Sequence, residues 1–89
     1  MITTDVKYSR RLKDYNEVKF YVLIGRRIRK QRKLLNVTQL ELSKALNIHC
    51  RTIKKFEHGD NCISAYNLLL ISNILKIPIA ELFSQSDIN

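Results

Sequence analysis

The sequence lacks features that define several protein classes, and the first missing feature is a long apolar segment. Among its 89 residues, no apolar run approaches the roughly 20 residues that a membrane-spanning helix needs. The first residues also differ from a secretory signal, because their cations lead into no apolar stretch that ends at small residues. We therefore expect a cytoplasmic protein without a membrane partner.

Cysteine is scarce too, with Cys50 and Cys62 as the only two. Two cysteines are too few for a disulfide framework, so both are expected to be reduced thiols. His49 and His58 lie near them in the sequence, but the spacing of these four residues fits no common zinc pattern. We expect neither a metal nor a cofactor.

Glycine-rich loops and catalytic clusters are missing as well. The two glycines, Gly25 and Gly59, are far apart, and we interpret them as helix ends or packing positions rather than as a phosphate-binding loop. The sequence offers no plausible pair of nucleophile and base and no cluster of carboxylates. We therefore predict that the protein is not an enzyme.

What the sequence does have is positive charge, and most of it lies in one half of the chain. The net charge is +8, with 16 lysine and arginine residues against eight acidic residues. Residues 1–55 hold 15 of those cations and have a net charge of +11, whereas residues 56–89 have a net charge of −3. This separation is typical of a protein with one nucleic-acid-binding face and one core or partner face.

Apolar residues recur at helical spacing along most of the chain, and no segment alternates like a half-buried strand. Periodicity and capping signals, such as Thr38 with Glu41, predict five helices and therefore an all-α fold. The first four predicted helices lie at about 15–35, 38–46, 49–58 and 64–75, and the fifth has Pro78 in its first turn. Asn36 is expected to end the first helix in the left-handed conformation. The inner face of that helix is predicted to consist of Phe20, Ile24, Ile28 and Leu35.

The segment from Thr38 to Gly59 is the most informative part of the chain. It contains two short amphipathic helices joined by a tight turn, and the second helix carries cations on its outward face. Ser43 is small where the helices cross, Asn47 can adopt the left-handed turn conformation, and Ile53 is a stiff apolar residue suited to the core. This layout predicts a helix-turn-helix unit, which places one helix in the DNA major groove.

Sequences on both sides extend the pattern: IGRRIRKQRKLLN precedes the unit and DNCISAYNLLLISNILKIPIAELF follows it. From Ile24 to Phe83 the chain resembles the Cro and phage-repressor type helix-turn-helix family, also called XRE. The resemblance implies a five-helix repressor-like DNA-binding domain at residues 20–84, with a partly flexible N-terminal extension at 1–19 and a C-terminal tail at 85–89. It also implies a sequence-specific transcriptional regulator of double-stranded DNA, with repression as the simplest outcome.

The third predicted helix carries most of the expected DNA contacts. A helical wheel separates His49, Ile53 and Phe56 on one side from Arg51, Lys54, Lys55 and His58 on the other. The resemblance implies that three positions read base edges, namely Cys50, Arg51 and Lys55. Arg51 is the best candidate, because a guanidinium can bind O6 and N7 of guanine together. The predicted phosphate contacts are Gln39, which the resemblance implies, and Arg29, His49, Thr52 and Lys54.

Glu57 is expected to have a specific partner. It lies near a helix C-terminus, where the helix dipole disfavours an acid, so a compensating cation is needed. The resemblance implies that Arg32 supplies this cation in a partly buried ion pair, which ties the first helix to the third. Arg32 is therefore predicted to be architectural, unlike the other cations of the first helix.

The fourth predicted helix is apolar nearly all round, which normally means burial. Its inner face is predicted to consist of Leu68, Ile71 and Leu75, and a second stripe consists of Tyr66, Leu70 and Ile74. This stripe could pack against the same helix of a second copy, giving a twofold homodimer on a palindromic operator. Two alternatives are an exposed stripe and a stripe covered by the chain's own residues Tyr8, Leu12, Tyr15 or Val22.

Two other functions remain open from the sequence. The chain could be the antitoxin of a toxin–antitoxin pair, which would bind a small protein partner as well as DNA. Non-specific binding of RNA or of an anionic membrane surface is less favoured, since it would not require the spacing of Ser43, Asn47 and Ile53. The sequence does not specify the operator or the regulated genes.

Overall fold

Helices account for most of the region that the structure covers. The computed structural model describes residues 15–84. The helices are α1 (Tyr15–Leu34), α2 (Gln39–Leu46), α3 (Cys50–His58), α4 (Ala65–Leu75) and α5 (Ile79–Phe83). No strand occurs within these residues, and the predicted all-α fold is confirmed. The extension assigned to residues 1–19 overlaps the start of α1, while residues 1–14 and the tail at 85–89 lie outside the described region.

The helix ends follow the local chemistry predicted from the sequence. Thr38 Oγ1 accepts the Glu41 N–H at 3.0 Å, and Glu41 Oε1 accepts the Thr38 N–H at 2.8 Å, which completes a capping box before α2. Asn47 ends α2 in the left-handed conformation with φ of 57°, and Gly59 ends α3 with φ of 76°. Asn36, with φ of 57°, adopts the same conformation after α1.

All five helices contribute to one apolar core. Its most deeply buried side chains are Ile24, Ile28, Leu42, Ile53, Ile71, Leu75 and Leu82. The prediction that Leu35 belongs to the inner face is wrong, because this side chain is 38 % exposed. Since α1 ends at Leu34 and the chain turns at Asn36, helical periodicity no longer applies there, and Val37 packs against the core instead.

Both glycines lie where α1 meets the end of α3. A β-carbon on Gly25 would lie 2.3 Å from the Phe56 carbonyl oxygen and 2.8 Å from that of Glu57. A β-carbon on Gly59 would lie 2.7 Å from Val22 Cα, and the positive φ there also favours glycine. The interpretation of the two glycines as packing or helix-end positions is therefore confirmed.

Polar side chains of α1 also fasten the last two helices. Gln31 Nε2 donates to the carbonyl oxygen of Leu75, the last residue of α4, at 2.8 Å. Arg27 Nη1 donates to the carbonyl oxygens of Leu82, at 3.2 Å, and of Ser84. Carbonyls in the last turn of a helix lack partners within the helix, so these bonds satisfy them. Arg27, although a cation of α1, thus has a structural role.

Two further findings concern the chemistry of the described residues. None of the five helices is long and apolar enough to cross a membrane. Within residues 15–84, no three histidine, cysteine, aspartate or glutamate side chains are arranged to hold a metal ion. Cys50 and Cys62 are both free thiols.

Candidate nucleic-acid interface

The packing of α3 decides which of its side chains face solvent. Ile53 and Phe56 are buried in the core and anchor one side of the helix. Ser43 of α2 is buried, and its Oγ donates back to the Leu40 carbonyl oxygen at 2.7 Å. The opposite side of α3 carries exposed Arg51, Lys54, Lys55 and His58. The helix therefore presents a cationic face to solvent.

The cations of this face are available to an anionic ligand. None of the side chains of Arg51, Lys54 and Lys55 is paired with a carboxylate in the part of the chain that the structure describes. Arg51 and Lys55 lie four residues apart, which is about one helical turn or 6 Å along the axis. Both side chains therefore extend from the same side of one helix. They can reach into a groove as wide as the major groove of DNA, about 12 Å. Cys50 is half-buried, so its weak thiol donor is less accessible.

His49 does not lie on the buried side of the third helix, and that part of the helical-wheel prediction is wrong. It is exposed and precedes α3 as the N-cap, with extended backbone, so the helical wheel does not apply to it. Its Nδ1 accepts the Arg51 N–H at 3.0 Å. In the neutral ring the proton is then on Nε2, which is a donor that can serve a phosphate oxygen. Thr52, another predicted phosphate contact, is half-buried in the first turn of α3.

Gln39 is placed differently from what its predicted role suggests. Its side-chain amide donates from Nε2 to Glu57 Oε1 at 3.0 Å and is therefore held against α3. The capping box uses the N–H groups of Thr38 and Glu41, which leaves those of Gln39 and Leu40 without a helical partner. Main-chain N–H groups at a helix N-terminus are suited to bind phosphate.

A shallow concavity extends the basic surface from α2 to α1. It is lined by the end of α1 and the start of α2, including Arg29, Lys33, Asn36 and Thr38. Arg29 and Lys33 are exposed, whereas the neighbouring Arg32 is buried. Arg29 and Lys33 are thus exposed cations that line the same concavity as Thr38 and Gln39 at the start of α2.

Arg32 and Glu57 are brought together by α1 and α3. Arg32 Nε donates to Glu57 Oε2 at 2.6 Å, and Arg32 Nη2 donates to Glu57 Oε1 at 3.0 Å. Both residues are only 7 % exposed, and Arg32 Nη1 also donates to the Val37 carbonyl oxygen at 2.9 Å. The hydrogen bonds to Glu57 raise the pKa of the Arg32 guanidinium, against the effect of burial, so the guanidinium stays charged at neutral pH.

The apolar stripe of α4 is only partly exposed. Tyr66 is 68 % exposed, but Leu70 and Ile74 are half-buried and pack against the core of their own domain. Leu69, which the sequence reasoning did not single out, is 48 % exposed. Its position three residues after Tyr66 was a usable signal, because residues three apart share a helix face. The outward apolar surface of α4 thus consists mainly of Tyr66 and Leu69.

Comparison with known proteins places the domain in a family. The helix-turn-helix family matches residues 28–82. The HTH-type transcriptional regulator DicA of Escherichia coli K12 is 40 % identical over 65 residues, which cover 72 % of this chain and 48 % of DicA. The cryptic phage CTXphi transcriptional repressor RstR of Vibrio cholerae is 36 % identical over 59 residues, which cover 66 % of this chain and 53 % of RstR. The chain spans about half the length of the curated relatives it matches.

Solved structures share the same fold. The restriction-modification controller protein C.AhdI from Aeromonas hydrophila has a TM-score of 0.67 and 26 % identity to this chain. The similarity covers 78 % of this chain and 100 % of C.AhdI. The family match covers more than half of the chain and runs from the middle of α1 into α5. The chain therefore belongs to the helix-turn-helix family of the Cro and phage-repressor type.

Proposed function

We propose that this chain is a sequence-specific regulator of transcription that binds double-stranded DNA through α3. The observation that carries the proposal is the exposed cationic face of α3 opposite its buried anchors, Ile53 and Phe56. A helix held in this way can enter the major groove while its anchored side stays on the core. Repression is the proposed outcome, since a bound operator blocks polymerase and the relative RstR is named as a repressor.

The proposed contacts divide into base readout and phosphate binding. Arg51 and Lys55 would read base edges, with Cys50 offering contact to a thymine methyl group. Phosphate contacts would come from Arg29, His49, Thr52, Lys54 and the start of α2 at Gln39. Phosphate contacts fix the position of the protein, whereas base contacts determine which sequence is bound. Affinity should fall steeply with salt concentration, because bound cations displace counterions from DNA.

Arg51→Ala is expected to cost about 1–3 kcal/mol of binding free energy and to relax the preference at one base pair of each half-site. The bidentate contact to guanine is lost, while the phosphate contacts remain. The measurement is selection of bound duplexes from a random pool, followed by titration with single-base variants of the selected site. Lys44→Ala is the matched control, since Lys44 is an exposed cation of α2 outside the proposed contacts. Equal weakening on every sequence would instead make Arg51 a phosphate contact.

We further propose that the regulator acts as a homodimer on a palindromic operator, with α4 as the contact surface. Two recognition helices about 34 Å apart would then read successive major grooves. Residues 61–75 carry no charge, so two copies of this basic chain can approach there with little repulsion. Tyr66 and Leu69 are the exposed members of this surface, and Leu70 and Ile74 on the same helix are half-buried.

Tyr66→Lys combined with Leu69→Lys is expected to convert the dimer to a folded monomer, because lysines facing each other across a twofold axis repel. Both side chains are exposed, so the core stays intact. Sedimentation over a range of concentrations gives the oligomeric state, and Ala45→Lys, at an exposed position of α2, is the control for added charge. An unchanged dimer in the double variant would remove α4 as the interface. A stable complex with a second small protein on this face would favour the antitoxin alternative.

A further inference from the structure

The two histidines of the chain lie at opposite ends of α3, and their rings make opposite kinds of contact. His49 is the N-cap, and its Nδ1 accepts the Arg51 N–H at 3.0 Å. His58 is the last residue of α3, and its Nδ1 lies 2.9 Å from the Lys54 carbonyl oxygen. Because a carbonyl oxygen only accepts hydrogen bonds, His58 Nδ1 must carry a proton, whereas His49 Nδ1 must not. The contact of His58 therefore survives protonation of its ring, and the contact of His49 does not.

We infer that His49 makes base discrimination by α3 depend on pH, because only its neutral ring holds the first turn of this helix. The inference rests on the proposed function and adds a form of regulation to it. Protonation places an N–H at Nδ1, where it faces the N–H of Arg51, and both groups are then donors. It also places a positive charge at the positive end of the helix dipole. The ring then has to turn away, and the cap is lost.

The turn that depends on this cap carries proposed base contacts. The Arg51 N–H lies at the start of α3, where main-chain N–H groups have no partner within the helix. His49 also accepts the Thr52 N–H through its own carbonyl oxygen, at 2.9 Å. Without the ring contact, this turn is the part of α3 that loosens, because Ile53 still anchors the next turn in the core. Cys50 and Arg51 would then no longer be fixed against base edges.

No acid near this turn takes over when the His49 ring becomes charged. No carboxylate pairs with His49 in the part of the chain that the structure describes. Glu41 of α2 is engaged in the capping box, and Glu57 of α3 is held by Arg32 of α1. Residues 61–75, which include α4, carry no charge. The remaining charged or titratable groups of α2 and α3 are Lys44, Cys50, Arg51, Lys54, Lys55 and His58. Protonation of His49 thus breaks a hydrogen bond without forming an ion pair within the described domain.

The ratio of two affinities is the suitable readout, rather than affinity itself. A charged His49 ring attracts phosphate more strongly, but it does so on every sequence, because phosphate contacts carry no sequence information. This gain cancels in the ratio of the affinities for a preferred duplex and for its single-base variant. Loss of order in the first turn of α3 does not cancel, since only the preferred duplex needs that turn to be in place.

The test uses the full chain with the duplex recovered by selection from the random pool, and with the variant of that duplex in which the base pair read by Arg51 is changed. Both affinities are measured at constant ionic strength at about pH 8 and at about pH 5, the two ends of the range in which histidine ordinarily changes charge. We expect the ratio to fall by about threefold to tenfold at the lower pH, as loss of a helix N-cap typically costs.

Two variants assign this effect to His49. In His49→Asn the amide oxygen caps the helix at either pH, so the ratio should stay constant. In His58→Gln the ratio should fall as in the unsubstituted chain, because the contact of His58 does not require a neutral ring. A constant ratio in the unsubstituted chain would overturn the inference. An equal fall in His49→Asn would overturn it too, since the effect would then belong to another group.

The free protein gives an independent readout of the cap. In nitrogen-15 NMR spectra recorded over the same pH range, the backbone amide signal of Arg51 should shift with the same midpoint as the His49 ring. This shift should be absent in His49→Asn. An Arg51 amide signal that does not follow the His49 ring would show that the cap is not made. If selection recovers no preferred sequence, the proposed function fails, whereas this titration still decides whether His49 caps α3.

Discussion

Glu57→Gln should destabilise the domain by about 3–5 kcal/mol, the range observed when one partner of a buried ion pair is removed. Arg32 would remain charged and 7 % exposed, with one of its donors facing the new amide NH₂ group instead of an acceptor. Gln39 would lose the charged acceptor for its amide as well. For a domain of this size the melting temperature should fall by about 15 °C or more. Thermal and urea unfolding followed by circular dichroism measure both quantities.

The matched control removes both charges at once. Arg32→Met combined with Glu57→Met leaves no unpaired buried charge, and such replacements are often neutral or stabilising. We expect this double variant to be markedly more stable than Glu57→Gln alone. An unchanged melting temperature in Glu57→Gln would show that the ion pair does not hold α1 to α3 in solution.

Gly25→Ala should destabilise the domain by about 3 kcal/mol, at the upper end of the usual cost of overpacking. The added methyl group would lie 2.3 Å from the Phe56 carbonyl oxygen, far inside contact distance. The atoms it meets belong to the backbone at the end of α3, so no side-chain rotation can relieve the clash. Helix propensity alone would predict that Gly25→Ala stabilises the domain, because alanine is favoured over glycine by about 1 kcal/mol within a helix.

Arg26→Ala is the natural comparison for this variant, since Arg26 is exposed and adjacent on the same helix. Its stability should change by less than about 0.5 kcal/mol, as is usual for surface positions. Equilibrium unfolding in urea compares the two variants directly. If Gly25→Ala proved as stable as the original chain, α1 and α3 would have to be further apart than the structure places them. The recognition helix would then be tilted differently from the proposal.

The sequence predicts best where the chemistry is local. The capping box of Thr38 with Glu41 and the left-handed residues Asn36 and Asn47 depend on neighbours within a few positions, so their identities suffice to place helix ends. The burial of Ile53 and Phe56 follows from helical periodicity. Together these features give the order and limits of the helices to within a few residues.

The sequence predicts less well where a side chain depends on distant elements or on a helix boundary. Periodicity misplaces His49 and Leu35, because each lies just outside a helix, where periodicity no longer holds. Nothing in the spacing of Gln39 and Glu57, 18 residues apart, indicates a hydrogen bond, because it depends on how α2 and α3 meet. The half-burial of Leu70 and Ile74 likewise depends on the packing of α4 against other helices.

The most direct test of the central claim is a map of backbone amide shifts when the nitrogen-15-labelled chain is titrated with a duplex that contains one selected half-site. The proposal predicts that the largest shifts occur at residues 49–55 and at the start of α2, while α4 and α5 remain nearly unchanged. A duplex with a single half-site does not bring two copies of the chain together. Dimer formation on the DNA therefore does not shift the amide signals of α4. Large shifts confined to the basic outer side of α1, with α3 unaffected, would contradict DNA recognition by α3.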